Sequence, residues 1–254
     1  MITSCASPTV ILEPYQKNNE RLCSTETRAN HSLVPCALQN GSLAVAEGRT
    51  ITPVINELLS LPSFVAKVTT QDWHPQNHVS FASNHPPPNN RPFIDTVTIY
   101  HPDDPSLGHY ETRLWPDHCV QNTPGAELIP ELDASKATHN IKKGTDPRVE
   151  MYSAFVDPLG VCDSGLNSLL QDEKVSHVYV VGLAGDYCVK STAMDAVKLL
   201  GLEGKVFVIE DGTKPVDGGE PWEESKKDME SKGVKVIGIS AKEVRWLYGE
   251  GLEA

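Results

Sequence analysis

Residues 178–200, which read VYVVGLAGDYCVKSTAMDAVKLL, constrain the fold more than any other stretch of the chain. The stretch opens with a run of mostly β-branched apolar residues, which suits a strand buried on both faces. Two glycines then interrupt the chain, and apolar residues recur at helical spacing from Val189 onward. This pattern predicts a central strand, a tight turn and a helix, which is the repeating unit of a parallel sheet covered by helices.

Cys188 lies in the first turn of this predicted helix, just past the bend of the chain. Asp186 is placed to cap the helix, and the positive end of the helix dipole favours a thiolate there. Gly182 and Gly185 allow backbone N–H groups to approach a substrate oxygen closely. Cys188 is therefore a candidate nucleophile for attack on a carbonyl. From this stretch alone, the alternative is a small buried apolar residue.

Strands and helices alternate along the rest of the chain. This order predicts an α/β fold, a single three-layer α/β/α domain with a mostly parallel sheet, and ligands beyond the carboxyl ends of its strands. Strands are predicted at residues 64–70, 96–100, 178–181, 206–209 and 234–239, and helices at 52–59, 126–132, 189–200, 221–232 and 241–248.

Composition excludes several classes of protein. The chain has 254 residues and a net charge of -12 without a basic patch, so we expect no nucleic-acid partner. No run is long and apolar enough to span a membrane, and the first residues lack the pattern of a signal peptide. The six cysteines are irregularly spaced, which indicates reduced thiols and a cytoplasmic protein.

The N-terminal part differs from the rest of the chain. Residues 1–36 are rich in Ser, Thr and Asn, and their one short apolar run, residues 9–12, is closed by Pro14. Near Ala37 the Ser-, Thr- and Asn-rich sequence gives way to alternating predicted helices and strands. We therefore predict an atypical N-terminal segment at residues 1–36, for which disorder is one alternative, and an α/β domain at residues 37–254.

Metal-ligating residue types follow the strand predicted at 64–70. Asp72 and His74 are two positions apart on an extended segment, so both side chains point to the same side. They can offer a carboxylate and an imidazole to one metal ion. His118, in a loop that contains proline, is the best candidate for a third ligand, and His78 and His85 are alternatives. The competing interpretation is that Asp72 and His74 are exposed loop residues.

A lysine pair precedes Gly144. A lysine beside a nucleophilic cysteine would favour its thiolate and stabilise negative charge developing on the carbonyl. Lys142 and Lys143 are candidates for that role, although most such pairs lie on the solvated surface.

Taken together and in order, these fragments resemble the nicotinamidase/pyrazinamidase family of the isochorismatase-like cysteine hydrolases. The resemblance is collinear over about residues 37–240, so the domain at 37–254 is expected to be an isochorismatase-like hydrolase domain. The matching segments are residues 40–59, 69–83, 114–128, 142–155 and 180–196.

The resemblance implies roles for the candidate residues. Asp72, His74 and His118 match the ligands of a divalent metal, usually zinc. Cys188 matches the nucleophile, and Lys143, directly before the glycine, matches the catalytic lysine. In that family the metal orients the pyridine nitrogen, the cysteine attacks the carboxamide, ammonia leaves and water hydrolyses the thioester.

The resemblance also implies a substrate pocket. Trp115 matches the aromatic residue that lines the pyridine site, and Tyr152 is expected to contact the substrate as well. The bond between Leu183 and Ala184 matches a cis peptide that aims backbone N–H groups at the oxyanion. The implied substrate is nicotinamide, converted to nicotinate and ammonia in NAD salvage, and homo-oligomerisation is left open.

One departure from the family concerns the general base. The family begins with a buried central strand that ends in the catalytic aspartate, yet residues 36–40 read CALQN where that element should lie, and no aspartate precedes Asp72. The chain is therefore expected to hydrolyse nicotinamide poorly or not at all.

Three explanations for this departure remain open. The sequence derives from a gene model or splice form with a wrong first exon, or residues 9–12 supply the strand and Glu13 the carboxylate, or the protein is a non-catalytic relative that binds metal and pyridine. Within enzymes, the alternative is an amidase of the same superfamily that acts on another small amide. The Asp72/His74/His118 set argues against that alternative, because relatives without metal lack the Asp-x-His pair.

Overall fold

A computed structural model describes the backbone of residues 9–14 and the complete residues 41–249. The strands are β1 (Thr9–Pro14), β2 (Phe64–Asp72), β3 (Thr96–Tyr100), β4 (His109–Arg113), β5 (His139–Lys143), β6 (Val178–Leu183), β7 (Val206–Lys214) and β8 (Val234–Ile237). The helices are α1 (Thr52–Ser60), α2 (Leu166–Asp172), α3 (Lys190–Leu200), α4 (Glu220–Ser231) and α5 (Lys242–Arg245).

Six of these strands form one sheet in the order β5-β2-β1-β6-β7-β8, and β3 pairs with β4 in a separate antiparallel hairpin. The pairs β2–β5, β6–β7 and β7–β8 are parallel, whereas β1 is antiparallel to both of its neighbours. Every strand of the large sheet except β1 therefore runs in one direction, and the predicted, mostly parallel sheet is confirmed.

Helices cover both faces of the large sheet. Successive side chains of β6 point to opposite sides, so Val180 packs in the cluster that contains residues of α2, α3 and α4. Val181 packs in the other cluster, with residues of α1 and α5. The three-layer α/β/α arrangement is confirmed. Within the described ranges, no helix is long and apolar enough to cross a bilayer.

β1 occupies the centre of the sheet, so residues 9–12 do supply a strand. Its register pairs Thr9 with Thr70 on one side and with Gly182 on the other, while Glu13 is paired with Ala66. Glu13 is thus level with Ala66, which lies six positions before Asp72 on β2. That separation is about 20 Å along the strand, so Glu13 is at the end of the sheet away from Asp72. The hypothesis that Glu13 is a displaced catalytic carboxylate is therefore wrong.

Some elements differ from the sequence prediction. Residues 126–132 are not helical apart from the end of a short 3-10 turn at Pro124–Ala126. The last helix is only one turn, α5, followed by a 3-10 turn at Trp246–Tyr248. The prediction also missed β4 and β5, which contain few apolar residues. It missed α2 as well, although Leu166, Leu169 and Leu170 follow helical spacing. The boundary predicted at residue 37 lies outside the described residues and stays a prediction.

Candidate active site

The site lies beyond the carboxyl ends of β2, β5 and β6, where a parallel sheet is expected to bind its ligand. A cavity of about 430 Å³ opens there. It brings together most of the residues singled out from the sequence, namely Asp72, His74, Trp115, His118, Tyr152, Ala184 and Cys188.

Cys188 lies in a π-helical turn, Gly185–Val189, that joins β6 to α3. The N–H groups of Tyr187 and Val189 both donate to the carbonyl of Ala184, which closes the turn. The peptide bond between Leu183 and Ala184 is cis, as the family resemblance implied. The Cys188 side chain is 7% exposed, and the residue lines the cavity.

Asp186 does not cap the helix, so that prediction is wrong. Its carboxylate instead accepts hydrogen bonds from the backbone N–H groups of Val216 and Asp217, both at 2.9 Å. Burial raises the pKa of Asp186, and these two donors oppose the rise. Asp186 thereby fastens the loop after β7 to the turn that carries Cys188.

Lys143 is 2% exposed, and its ammonium group faces the cysteine rather than solvent. Its Nζ donates to Asp72 Oδ1 at 2.5 Å, to the Met151 carbonyl at 3.0 Å and to Cys188 Sγ at 3.4 Å. Burial lowers the pKa of Lys143, but Asp72 and Cys188 outweigh that effect and the net shift is upward. Lys143 therefore stays protonated and cannot act as a general base.

The pKa of Cys188 is not lowered as the helix dipole had suggested. Burial raises it to about 12 in the protein alone, although Lys143 opposes the rise. Desolvation of the thiolate outweighs the neighbouring cation. Attack by Cys188 thus requires that its proton be removed during the reaction.

Three side chains form a buried group suited to a metal ion. One ligand atom from each of Asp72, His74 and His118 lies within 4.8 Å of the others. Nδ1 of His74 is 2.9 Å from the Gly144 carbonyl, and Nδ1 of His118 is 2.8 Å from the Pro116 carbonyl. Because a carbonyl only accepts, each Nδ1 carries the hydrogen, and each Nε2 keeps a lone pair for a metal.

The neutral state of His74 also favours metal binding at this group. Burial lowers the pKa of His74 well below its ordinary value, and His78 and His118 lower it further. The imidazole is therefore neutral near pH 7, which is the form that binds a metal ion. The donor set of one carboxylate and two such imidazoles fits zinc.

The alternative histidines are less suited to coordinate a metal. His74, His78 and Glu150 form a second group within 4.8 Å. However, His78 uses Nε2 toward the Val149 carbonyl at 3.1 Å and Nδ1 toward Ser80 Oγ at 2.9 Å. His85 is hydrogen-bonded through Nε2 to the carbonyl of Val79 at 2.7 Å. Coordination by His78 would break a hydrogen bond that it already makes.

Three aromatic side chains, Trp115, Tyr152 and Tyr187, line the same cavity as the metal-ligand group. Trp115 Nε1 donates to the hydroxyl of Tyr152 at 2.8 Å, and Thr112 Oγ1 is 2.8 Å from the same hydroxyl. The rings of Trp115 and Tyr187 are 4.9 Å apart and nearly perpendicular. Sequence reasoning missed Tyr187, although an aromatic residue next to Cys188 was a signal for it.

Glu150 is a second residue that sequence reasoning missed. It lines the cavity and is 2% exposed. Its Oε1 accepts from the N–H of Met151 at 2.9 Å, while its buried Oε2 has no hydrogen-bond partner among the described residues. Glu150 lies within a segment that resembles the family, residues 142–155, but nothing in its spacing separates it from a surface glutamate.

An α/β sheet that presents a cysteine, a buried lysine and an Asp/His group in one cavity has the architecture of a cysteine hydrolase. Comparison with known proteins agrees. The sequence model of the isochorismatase domain matches residues 79–241. A nicotinamidase of Acinetobacter baylyi is 40% identical over 213 residues, which cover 82% of this chain and 92% of the relative.

Solved structures give the same result. The yeast nicotinamidase Pnc1p bound to the inhibitor nicotinaldehyde is 33% identical, with a TM-score of 0.72 over 78% of this chain and 92% of that one. The pyrazinamidase of Pyrococcus horikoshii in complex with zinc is 32% identical, with a TM-score of 0.58 over 80% of this chain and 92% of that one. The chain belongs to the nicotinamidase/pyrazinamidase family of isochorismatase-like hydrolases.

Proposed function

We propose that this protein is a metal-dependent cysteine amidohydrolase that converts nicotinamide to nicotinate and ammonia. The observation that carries the proposal is the shared cavity. Cys188, the Asp72/His74/His118 group and Trp115 all line it, so a flat pyridine ring can lie between metal and nucleophile. The irregular spacing of the cysteines supports the cytoplasmic location that we propose with this function.

Asp72, His74 and His118 would hold the metal, and the zinc complex of the P. horikoshii relative supports zinc as the ion. When bound, the ion supplies a positive charge that orients the pyridine nitrogen, directly or through water. The aromatic residues Trp115 and Tyr152 would position the ring.

The proposed reaction begins at Cys188. Its sulfur attacks the carboxamide carbon, a C–S bond forms, and the carbonyl electron pair moves to oxygen. Backbone N–H groups of the turn from Ala184 to Cys188 would donate to that oxyanion, and the nearby Lys143 ammonium would stabilise it.

The second half of the reaction releases both products. The thiol proton reaches the amide nitrogen, the C–N bond breaks and ammonia leaves a thioester. A water molecule then adds to the thioester carbon and the C–S bond breaks. Nicotinate is released, and a proton from the water returns to the sulfur of Cys188 to regenerate the thiol.

The site has no obvious group to accept the proton of the Cys188 thiol within the described residues. In the family an aspartate at the end of the first strand takes the thiol proton, and here no aspartate precedes Asp72. Within the described part of the chain, two carboxylates line the cavity: Asp72 is bound by Lys143, while Glu150 keeps one oxygen without a partner there. We propose that this chain lacks the family base and turns over slowly. The same observation favours a non-catalytic, metal- and pyridine-binding relative as the second candidate.

Ammonia release from nicotinamide by the purified zinc-loaded protein tests the function. We expect slow turnover that Cys188→Ala abolishes and that Cys162→Ala, which alters a half-buried thiol outside the cavity, leaves unchanged. Benzamide, which lacks the ring nitrogen, should react more slowly than nicotinamide. Turnover that survives Cys188→Ala would contradict the proposal, and nicotinamide binding without turnover would favour the non-catalytic candidate.

A further inference from the structure

An ion pair joins the two segments that carry the cavity-lining residues Trp115 and Val216, although neither partner of the pair lines the cavity itself. Arg113, the last residue of β4, places Nη1 2.7 Å from Oδ2 of Asp217, which lies in the loop between β7 and α4. The two residues are 104 positions apart in the sequence, and their side chains are 29% and 39% exposed. The pair therefore holds the β3–β4 hairpin against the β7–α4 loop.

The same cation lies against two rings that line the cavity. Cζ of Arg113 is 5.5 Å from the ring centre of Trp115 and 5.8 Å from that of Tyr187. The hydroxyl of Tyr187 donates to the same Asp217 oxygen at 3.4 Å. A guanidinium over two aromatic faces attracts both of them, so Arg113 fixes the angle at which the rings meet.

Asp217 is fixed from the other side as well. Its N–H and that of Val216 both donate to the Asp186 carboxylate, two positions before Cys188. The loop is thus held to the turn that carries the nucleophile, and Arg113 holds it to the β3–β4 hairpin. Val216 and Tyr187 are two of the four half-buried residues that line the cavity in the described part of the chain, together with Leu43 and Tyr152, and such partly exposed side chains lie where the cavity meets solvent.

We propose that Arg113 and Asp217 form a clamp that fixes the width of the cavity opening and thereby restricts the site to amides of one small flat ring. The clamp sets substrate size and takes no part in bond breaking. The restriction on substrate size rests on the proposed function, whereas the width of the cavity opening can be measured without turnover.

Alkylation of Cys188 measures that width. The rate constants for iodoacetamide and for the bulkier N-benzyliodoacetamide are determined by mass spectrometry on folded, zinc-loaded protein. We expect Arg113→Met and Asp217→Asn each to raise the ratio of the two rate constants, bulky reagent over small reagent, by about fivefold. Loss of one partly exposed ion pair can produce a change of that size. The double variant should show the same ratio as either single variant, because both remove one interaction.

Arg91→Met is the matched control. Arg91 forms an ion pair with Asp95 at the same 2.7 Å, but among the described residues its guanidinium lies over no aromatic ring, whereas that of Arg113 lies over two rings that line the cavity. The control should keep the wild-type ratio. The clamp proposal would be refuted if Arg113→Met and Asp217→Asn also kept the wild-type ratio. It would equally be refuted if their effects on the ratio added in the double variant. Circular dichroism verifies the fold, and Asp217→Asn preserves side-chain shape if Arg113→Met misfolds.

Turnover gives a separate reading of substrate size. The kcat/KM ratio of 5-methylnicotinamide to nicotinamide should rise in both clamp variants and stay constant in Arg91→Met. If no variant hydrolyses either amide, the proposed function fails while the alkylation ratio still decides the clamp. If nicotinamide is hydrolysed and neither ratio changes, the clamp fails while the function stands.

Discussion

Nζ of Lys143 donates a hydrogen bond of 2.5 Å to Oδ1 of Asp72, so one buried cation is bound directly to a candidate metal ligand. The same ammonium also lies 3.4 Å from the sulfur of Cys188. The metal-ligand group and the nucleophile are therefore connected through a single side chain.

Removal of the Lys143 charge should slow alkylation of Cys188. Because burial raises the pKa of this thiol to about 12, the thiolate fraction and the labelling rate should grow about tenfold per pH unit between about pH 7 and 9. Lys143 opposes that rise, so Lys143→Met raises the pKa further and lowers the rate at every pH. Iodoacetamide labelling followed by mass spectrometry measures the effect.

The neighbouring lysine supplies the control for this prediction. The Lys142 ammonium lies 3.3 Å from the ring centre of Trp73 rather than near the cysteine. Lys142→Met should therefore label like the wild type. Equal rates in the two variants would show that Lys143 does not tune Cys188.

Loss of His74 should abolish metal binding. Purified protein is expected to carry about one divalent ion per chain, and His74→Ala should lose it because only two ligands remain. His85→Ala, whose imidazole is bound to the Val79 carbonyl, is the control and should keep the ion. Inductively coupled plasma mass spectrometry gives the content. Full retention in His74→Ala would refute the assignment of the ligand group.

Gly144 should be essential to the same group. Its φ of +65° is unfavourable for other residues, and a Cβ there would overlap the imidazole of His74. Gly144→Ala should displace that ring and weaken metal affinity by about 10–100-fold, the usual cost of disturbing the residues that orient a ligand. Competition with a zinc chelator gives the affinity.

Gly160→Ala separates backbone strain from ring displacement. Gly160 also has a positive φ, +73°, but its Cβ would meet no atom within 4 Å. This variant should lose some thermal stability and keep its metal affinity. If both variants bind metal equally well, the contact between Gly144 and His74 does not hold the ligand in place.

The sequence predicted the architecture and the site well where the signal was local. The apolar run before Gly182 and the Asp72/His74 spacing lie within single elements, so their period and position were readable. Glu150 was not found, because only tertiary packing brings its side chain to the cavity, whereas Tyr187 was missed although it directly precedes Cys188. The role of Asp186 was misread because its hydrogen-bond partners lie some 30 residues further along the chain.

The strand β1 shows the same limit at the level of the sheet. An apolar run at residues 9–12 was a possible strand, but direction and register depend on which neighbours it meets. It lies antiparallel between β2 and β6, with Thr9 rather than a carboxylate at the end nearest the site. The local sequence pattern does not specify the direction or register of a strand. Glu13 was therefore a candidate base from the sequence alone.

A different N-terminal strand should therefore restore activity. Replacing residues 1–39 with a family-type strand that runs parallel to β2 and β6 would carry an aspartate to the carboxyl end of the sheet, beside Cys188. A general base in hydrogen-bond reach contributes about 10²–10⁴-fold, and Lys143, which stays protonated, cannot substitute for it. We expect kcat for nicotinamide to rise by that factor, measured as ammonia release by the zinc-loaded chimera.

The matched control is the same chimera with asparagine in place of the new aspartate. It restores the strand and its packing but accepts no proton, so its kcat should stay near that of the unmodified chain. An asparagine chimera as active as the aspartate one would mean that the strand acts through packing alone. Family-level turnover by the unmodified 254-residue chain would instead show that a carboxylate already present serves as the base. Glu150→Gln would then be the variant to lose activity, since Glu150 is the cavity carboxylate with an unpaired oxygen.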